Sequence, residues 1–508
     1  MTSRQLEVER KYEVGTGVAV PDLTRLPKVT AVEPVLRSTL DAVYSDTDDL
    51  ALAAAGITLR RRTGGSDAGW HLKLPQGGDD RSELAEPLRD DDEAVPTELA
   101  RHVRGWVRQR ELRPVATLST RRVVHRLLAD GGRVLAEVSD DIVTATATPE
   151  RGEAIATTWR EWEIELVDGS RKLLAAADEL FSGVGAVRSV WPSKLHHALQ
   201  GNGIHAATAG PGAPEGSAGR VLSDYLAAQL AAVLSRDPDV RTSEPDAVHK
   251  VRVATRRTRS VLSTYRPLVD RTVTDPLRAE LKWFAGLLGA ARDVEVQREH
   301  LLVAVAAEPD DLVLGPVAAR IEVEMRADYA AAHETLLAAM DSDRYFQLLD
   351  ALETVALHPP LTDVAAGKAK QVLAKRVRVA CRRLHALGSS DAPADSGGRD
   401  TWLHDVRKAA KRVRYAAELA APVLGKPALA LVAAAEELQE TLGDHQDSVV
   451  LRTTLRAIGV RMHLDGDNAF TLGRLHALEQ VRADRAEAAF RELWDSSLAD
   501  QLRGWRKS

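Results

Sequence analysis

Five residues near the start of the chain, Glu7-Val8-Glu9-Arg10-Lys11, set two carboxylates and an ammonium at alternate positions. In a strand, residues i, i+2 and i+4 share a face, so Glu7, Glu9 and Lys11 point one way while Leu6, Val8, Arg10 and Tyr12 point the other. The same arithmetic places Arg60 with Arg62, His71 with Lys73, Arg81 with Glu83, and Glu161 with Glu163 and Glu165. Trp162, Ile164 and Leu166 take the opposite face of that last strand, as Trp70, Leu72 and Leu74 do beside Lys73. For a single strand, one charged and one apolar face describes an ordinary sheet with a solvated surface. Here carboxylates gather on some strands and cations on others, as expected of a shared cavity holding metal ions and a polyanion. A triphosphate carries about four negative charges at neutral pH, which Arg and Lys meet with charge-assisted hydrogen bonds. Hard cations such as Mg²⁺ or Mn²⁺ take carboxylate and phosphate oxygens as ligands and neutralise the charge that develops in phosphoryl transfer. No Walker-type glycine loop is present, and His71, His196 and His197 read as structural rather than catalytic.

A second charge pattern lies in the other half of the chain. At 100° per residue, His249, Arg252, Arg256 and Arg259 fall within about an 80° arc of a helix, with Val251, Ala254 and Thr258 opposite. His404, Arg407, Lys411 and Arg414 repeat the arc, with Val406, Ala409 and Val413 opposite and Lys408 on its edge. Acidic partners are nearly absent from both stripes. Like charges at i,i+4 spacing cost helix stability and are better tolerated where an anion binds, so the doubled pattern points to a polyanion track. A lone histidine among cations repels a metal ion, so His249 and His404 are expected to hydrogen-bond phosphate.

The elements that must position these groups follow from periodicity. Alternating segments (6–14, 57–62, 70–74, 115–122, 159–167) separated by turn-rich stretches make the first 200 residues an α+β domain on an antiparallel sheet. Helices are expected over 48–55, 97–109 and 170–181. Asp140 and Asp141 read as turn residues. Residues 206–219, rich in Gly, Pro and Ala, form a linker between a domain at 1–205 and an all-helical domain at 220–508. The helical half repeats at an offset of about 155 residues. His249 to Arg259 align with His404 to Arg414, and Leu288-Gly289-Ala290-Ala291-Arg292-Asp293 with Leu442-Gly443-Asp444-His445-Gln446-Asp447. Tandem four-helix bundles are the economical explanation, about 220–360 and 361–508. Arg292, Asp293, His445 and Asp447 are expected to pair helices rather than to touch ligand.

With 68 Lys and Arg against 74 Asp and Glu, the 508-residue chain has a net charge of −6, which argues against a generic nucleic-acid binder. Its single cysteine, Cys381, excludes an intramolecular disulfide and a multi-cysteine zinc site. No apolar run suggests a signal peptide or a membrane span, so a cytoplasmic protein is expected.

The ExExK pattern of Glu7, Glu9 and Lys11, followed in order by Tyr44 to Thr47, Thr58 to Arg62, Trp70 to Pro75, Arg81 to Glu83, Glu137, Glu163 to Leu166 and Ser193-Lys194, resembles the CYTH domains, or triphosphate tunnel metalloenzymes. The resemblance implies a closed antiparallel tunnel of about eight strands with flanking helices. It implies Glu7, Glu9, Glu137, Glu163 and Glu165 as metal ligands and Lys11, Arg60, Arg62, Lys73 and Lys194 as triphosphate ligands, with Glu7, Glu9 and Lys11 at the catalytic centre. A further cation comes from Arg121 or Arg122; the doubled arginine leaves the register open, and Arg121 is the reading taken. Glu83 either faces the tunnel with Arg81 or pairs with it. From about residue 218 the chain resembles the CHAD domain, whose tandem bundles bind inorganic polyphosphate, which implies His249, Arg252, Arg256, Arg259, His404, Arg407, Lys408, Lys411 and Arg414 as ligands to that chain.

The expected activity is a triphosphatase dependent on Mg²⁺ or Mn²⁺ and acting on inorganic tripolyphosphate. Its helical domain binds polyphosphate, which would allow association with polyphosphate granules; no membrane or specific nucleic-acid partner is expected. Adenylate cyclase or thiamine triphosphatase chemistry in the same tunnel is one alternative, and a non-catalytic polyphosphate-binding protein is another.

Overall fold

The computed structural model describes residues 3–33, 36–65, 67–89, 94–147, 154–201, 203–204 and 213–507. Residues 206–212 of the expected linker lie outside the described residues, and its last two, Ala218 and Gly219, already belong to a helix. The chain divides into two compact units, Met1–Thr208 and Ala209–Ser508.

Among the described residues of the first unit there are ten strands: β1 (Ser3–Glu13), β2 (Ala31–Val32), β3 (Leu36–Asp46), β4 (Thr58–Thr63), β5 (Gly69–Gly77), β6 (Asp80–Pro87), β7 (Arg113–Leu128), β8 (Val134–Ala147), β9 (Ile155–Leu166) and β10 (Val187–Arg188). Eight of them run β1-β6-β5-β4-β3-β7-β8-β9, and β9 pairs back onto β1, so the antiparallel ring closes; β2 and β10 are short additions. Closure leaves no long free edge and creates an interior face. The apolar outer faces are covered by helices. Trp162 and Ile164 pack with Leu174 and Phe181 of the helix Arg171–Ser182, and Leu59, Trp70 and Leu72 with Leu99 and Val103 of the helix Thr97–Val107.

The helix expected over 48–55 is shorter, Ala51–Ala54. Its first donors are met by Asp46, fully buried, whose carboxylate accepts from the backbone N–H groups of Leu52 (2.9 Å) and Ala53 (2.8 Å), as well as of Thr47 (2.7 Å). One end of the ring's interior is filled by the helix Lys194–Gln200: Leu195, Ala198 and Leu199 pack there with Tyr44, Leu118 and Val143. Asp140 and Asp141 lie inside β8, not in a turn; two adjacent aspartates are a turn signal, but here their side chains alternate between the two faces of a long strand.

Among the described residues the second unit is all helical, and its helices fall into two repeats. The first holds Ala218–Arg241, Ala247–Thr264, Arg271–Ala306, Val317–Met340 and Asp343–Leu357; the second holds Ala369–Gly388, Ser396–Leu424, Lys426–Leu464, Phe470–Leu493 and Ala499–Lys507. The residues that open the repeats pair reciprocally: Ala218 N–H donates to the Gly367 carbonyl (3.0 Å) and Ala369 N–H to the Gly216 carbonyl (2.9 Å). Such exchange is the mark of a two-fold relation. The repeats are not independent bundles, because Leu301, Val305 and Ile321 of the first share one hydrophobic cluster with Leu451, Ile458 and Leu475 of the second. No helix is long and apolar enough to cross a membrane, among the described residues.

Candidate functional site

Strand alternation brings the charged faces of β1, β4, β5, β6, β7 and β9 together around a cavity of about 90 Å³. Glu7, Glu9, Lys11, Arg60, Arg62, Lys73, Glu163, Glu165 and Lys194 all line it, as expected, and Arg81, Glu83 and Arg122 join them. Register explains the grouping: Glu9 stands opposite Glu165 and Lys11 opposite Glu163 across β1 and β9, and Lys73 opposite Glu83 across β5 and β6.

Cations and carboxylates interleave. Lys73 Nζ lies 2.5 Å from a Glu7 oxygen, and Lys11 bonds Glu9 and, at 3.0 Å, Glu163. Arg81 reaches Glu9 at 3.4 Å, and Glu83 accepts from His71 at 3.0 Å. His71 also meets the Asp67 carbonyl at 2.9 Å, so both its ring nitrogens are engaged and its role is structural. Arg62 bonds the Asp67 carboxylate, and Arg60 donates to the Tyr44 hydroxyl at 3.2 Å. The Nε atoms of Arg60 and Arg62 are nonetheless buried with no acceptor. A buried donor without a partner carries the full desolvation cost, which an anion in the cavity would relieve.

Charge balance is uneven along the walls. Burial, and the Glu83 carboxylate beside it, push the Glu7 carboxyl up to about 8 against the pull of Lys73. Burial also raises Glu165, helped by Glu9 and Glu163. Although burial opposes it, Lys11 and Lys73 hold Glu9 down to about 2. Buried carboxylates are hard oxygen donors of the kind a divalent cation fits, and Glu7 and Glu165, both held up, are the ones short of positive charge. Glu7, Glu9 and Glu165 therefore suit Mg²⁺ or Mn²⁺.

Two sequence expectations are corrected here. Arg122, not Arg121, enters the cavity, bonding Asp141 (2.8 and 2.6 Å) and Glu163 (2.6 Å); Arg121 is exposed on the outer face. Glu137 shares the interior face with Glu165 but sits outside the cavity lining, partly exposed and bound to Arg126 at 2.8 Å. Asp141 and Glu161 are site residues that the sequence reading did not select. With Glu163 they bring carboxylate oxygens within 4.8 Å of one another. Counting in twos along β8 from Glu137 reaches Asp141 and would have found it.

The two cationic stripes of the helical unit meet in one cleft of about 550 Å³ between the repeats. His249, Arg252 and Arg256 face it from one repeat, and His404, Arg407 and Lys411 from the other. Arg259, Lys408 and Arg414 do not line it: Lys408 pairs with Asp405 at 2.8 Å and Arg414 with Glu436 at 2.6 Å. The recurring glycine–aspartate element has a structural role. Gly289 and Gly443 give room to Arg252 and Arg407, and Asp293 bonds Arg252 at 3.0 Å. His445 likewise bridges helices, 3.3 Å from Asp400. Asp293 and Asp447 also face the cleft. Burial and the neighbouring Arg407, Arg256 and Arg252 push the Lys411 ammonium down to about 7. Burial and nearby cations also lower His249 and His404.

Comparison with known proteins gives these two units a family. The CYTH domain model matches residues 5–186 and the CHAD domain model residues 224–456. The uncharacterized protein Rv2226 of Mycobacterium tuberculosis strain H37Rv is 37% identical over 511 aligned positions, covering 97% of each chain. The chain belongs to the proteins that join a CYTH tunnel domain to a CHAD domain. Among solved structures it is similar to PptA from Streptomyces chartreusis (25% identity, 55% of this chain and 100% of that one, TM-score 0.47). It is also similar to the CHAD domain from the plant Ricinus communis (22% identity, 60% and 98%, TM-score 0.40).

Proposed function

We propose that the tunnel domain hydrolyses inorganic tripolyphosphate, or a closely related triphosphate, with Mg²⁺ or Mn²⁺, and that the helical domain binds inorganic polyphosphate. The observation that carries the first half is the ring cavity itself, where Arg60 and Arg62 hold buried guanidinium nitrogens without acceptors opposite the Glu7, Glu9 and Glu165 carboxylates. The basic side chains that converge in the cleft from both repeats, Arg252 and Arg256 from one and Arg407 and Lys411 from the other, support the second half.

In this reading Lys11, Arg60, Arg62, Lys73 and Arg122 hold the phosphate oxygens. Each of Lys11, Lys73 and Arg122 is paired with a carboxylate in the cavity. A cation that turns to phosphate frees its carboxylate, so polyanion and metal enter by exchanging partners rather than by desolvating bare charges. Glu7, Glu9 and Glu165 would hold the metal, which would neutralise charge on the transferring phosphoryl group. The fixed guanidinium groups orient the chain and stabilise the same charge without reorganising. No protein nucleophile is required; water attacks the terminal phosphorus. The reading also places the protein in the cytoplasm, where polyphosphate granules would recruit it through the cleft.

The test is phosphate release from tripolyphosphate, ATP and thiamine triphosphate, with and without Mn²⁺, in wild type and Glu9→Ala. Metal-dependent orthophosphate release, lost in the variant, is the expected result. Pyrophosphate with cyclic AMP would make the domain a cyclase. No turnover of any substrate alongside tight polyphosphate binding would leave a binding protein.

A further inference from the structure

Asp67 reaches the cavity from a turn, not from a strand. It lies between β4 and β5, lines the cavity, and bonds Arg62 of β4 through its carboxylate. Its side chain is 58% exposed, against 7% for Glu7, 9% for Glu9, 11% for Glu163 and 15% for Glu83. Asp67 therefore marks where the cavity meets solvent. Strand register says which end of the ring that is. Tyr44, which packs with the helix Lys194–Gln200, stands opposite Arg60, whereas Ala42 stands opposite Arg62 and Asp41 opposite Thr63. From Arg60 through Arg62 into the turn, the chain thus runs away from the end that this helix fills.

The turn is held in place. The Asp67 carbonyl meets His71 Nε2 at 2.9 Å, and the other nitrogen of that ring meets Glu83 at 3.0 Å. A Cβ on Gly64 would collide with the carbonyl oxygen of Thr39, and one on Gly69 with that of Glu86, so both ends of the turn lie hard against neighbouring backbone. The carboxylate is presented from a fixed base. Arg62 is thereby divided: its Nη2 serves the Asp67 carboxylate and, at 3.4 Å, the Asp67 carbonyl, while its Nε is buried with no acceptor. The inner donor remains for a phosphate oxygen; the outer one ends on a fixed negative charge. A phosphate chain that runs on past Arg62 brings further negative charge against that carboxylate, and like charges at close range repel.

We propose that Asp67 limits the length of the phosphate chain that the cavity accepts: its carboxylate, fixed on Arg62 at the exposed end, admits a triphosphate and repels a longer chain. The inference rests on the reading of the cavity as a triphosphate site. It gives the two units separate shares of one class of polymer, since a polyphosphate held by the helical cleft is then a poor substrate for the tunnel.

The experiment uses the full chain and measures orthophosphate release from tripolyphosphate and from tetrapolyphosphate with Mn²⁺. Wild type is expected to favour tripolyphosphate in kcat/KM. Asp67→Asn keeps the size and an acceptor oxygen but not the charge, and is expected to narrow that preference about three- to tenfold. The narrowing is expected to shrink as salt is raised, because Asp67 is exposed. Asp67→Glu keeps the charge and is expected to keep the preference. The helical cleft is the same in all three proteins, so binding there cancels from the comparison. If Asp67 only holds Arg62 in place, Asp67→Asn lowers kcat/KM for both substrates by the same factor, and the proposal falls. It falls equally if wild type shows no preference, or if the preference narrows as much in Asp67→Glu as in Asp67→Asn. Should wild type hydrolyse neither substrate, the hydrolase reading fails and calorimetric affinities for the two chains without metal decide the place of Asp67. Asp67→Asn is then expected to gain affinity for tetrapolyphosphate over tripolyphosphate, and no gain overturns the proposal. Unchanged tripolyphosphate affinity in Arg60→Gln would mean that the cavity holds no triphosphate, and both readings would fall.

Discussion

Polyphosphate binding to the helical cleft is expected to take up a proton at Lys411. In the free protein burial and the cations Arg407, Arg256 and Arg252 hold this ammonium at about 7 rather than its ordinary 10.5. A phosphate chain laid across these groups supplies the missing negative charge and returns Lys411 toward its ordinary value. At about pH 8 roughly 0.1 of the free side chain is charged and essentially all of the bound one, so binding takes up about 0.9 proton. At about pH 6 the same arithmetic gives about 0.1 proton. Affinity should therefore fall about eightfold per pH unit around pH 8 through this one group. The assay is calorimetry in buffers of different ionisation enthalpy, comparing wild type with Lys411→Met so that His249 and His404 cancel. The expected wild-type excess is close to one proton at the higher pH and close to none at the lower. An excess that is absent at about pH 8 refutes the reasoning. The sign for stability is opposite to that for affinity. Folded Lys411 binds fewer protons than unfolded Lys411 between about pH 7 and 10.5. The ligand-free protein thus gains stability as pH rises through that window, by at most about 1.4 kcal/mol per pH unit, and Lys411→Met removes the slope.

Three further outcomes follow from packing. An alanine at Gly443 would place Cβ 3.0 Å from Arg407 Nη2, whereas at Gly289 it would meet Arg252 Nη2 at 3.6 Å, an ordinary contact. Gly443→Ala is therefore expected to displace its arginine and weaken polyphosphate binding several-fold, while Gly289→Ala keeps binding and raises stability by up to about 1 kcal/mol, as a helical glycine replaced by alanine does. Arg241→Met strands the fully buried Asp237, which Arg241 meets at 2.6 Å, and leaves it only the Tyr345 hydroxyl at 2.8 Å. Chemical denaturation should show a loss of about 3–5 kcal/mol. Asp46→Ala leaves the buried N–H groups of Leu52 and Ala53 without their carboxylate and should cost about 1–3 kcal/mol, read in the same way.

Period-two alternation made the cavity walls legible, because Glu7, Glu9, Lys11, Arg60, Arg62, Lys73, Glu163 and Glu165 needed only to lie in strands to share a face. The doubled Arg121-Arg122 defeated the same reading: a shift of one residue turns every side chain over, and only pairing with β3 and β8 settles which arginine enters. Asp141 was hidden by its neighbour, since Asp-Asp is a turn signal and nothing local says that the strand runs on through it. The helical stripes show a related limit. An arc on a helical wheel says which residues share a side, not which meet a carboxylate from another helix, as Arg414 meets Glu436. Nor does a repeat offset say how the copies dock, so only the structure shows that the two stripes face one cleft.

The duplication that builds the cleft has a consequence for what can move through it. Inorganic polyphosphate has two identical ends: its backbone reads the same in both directions, unlike a peptide or a nucleic acid. A groove whose two sides are near-copies, His249, Arg252 and Arg256 answering His404, Arg407 and Lys411, likewise has no preferred orientation. If the cleft binds polyphosphate as proposed, a chain could enter by either terminus, and retention would not depend on its direction.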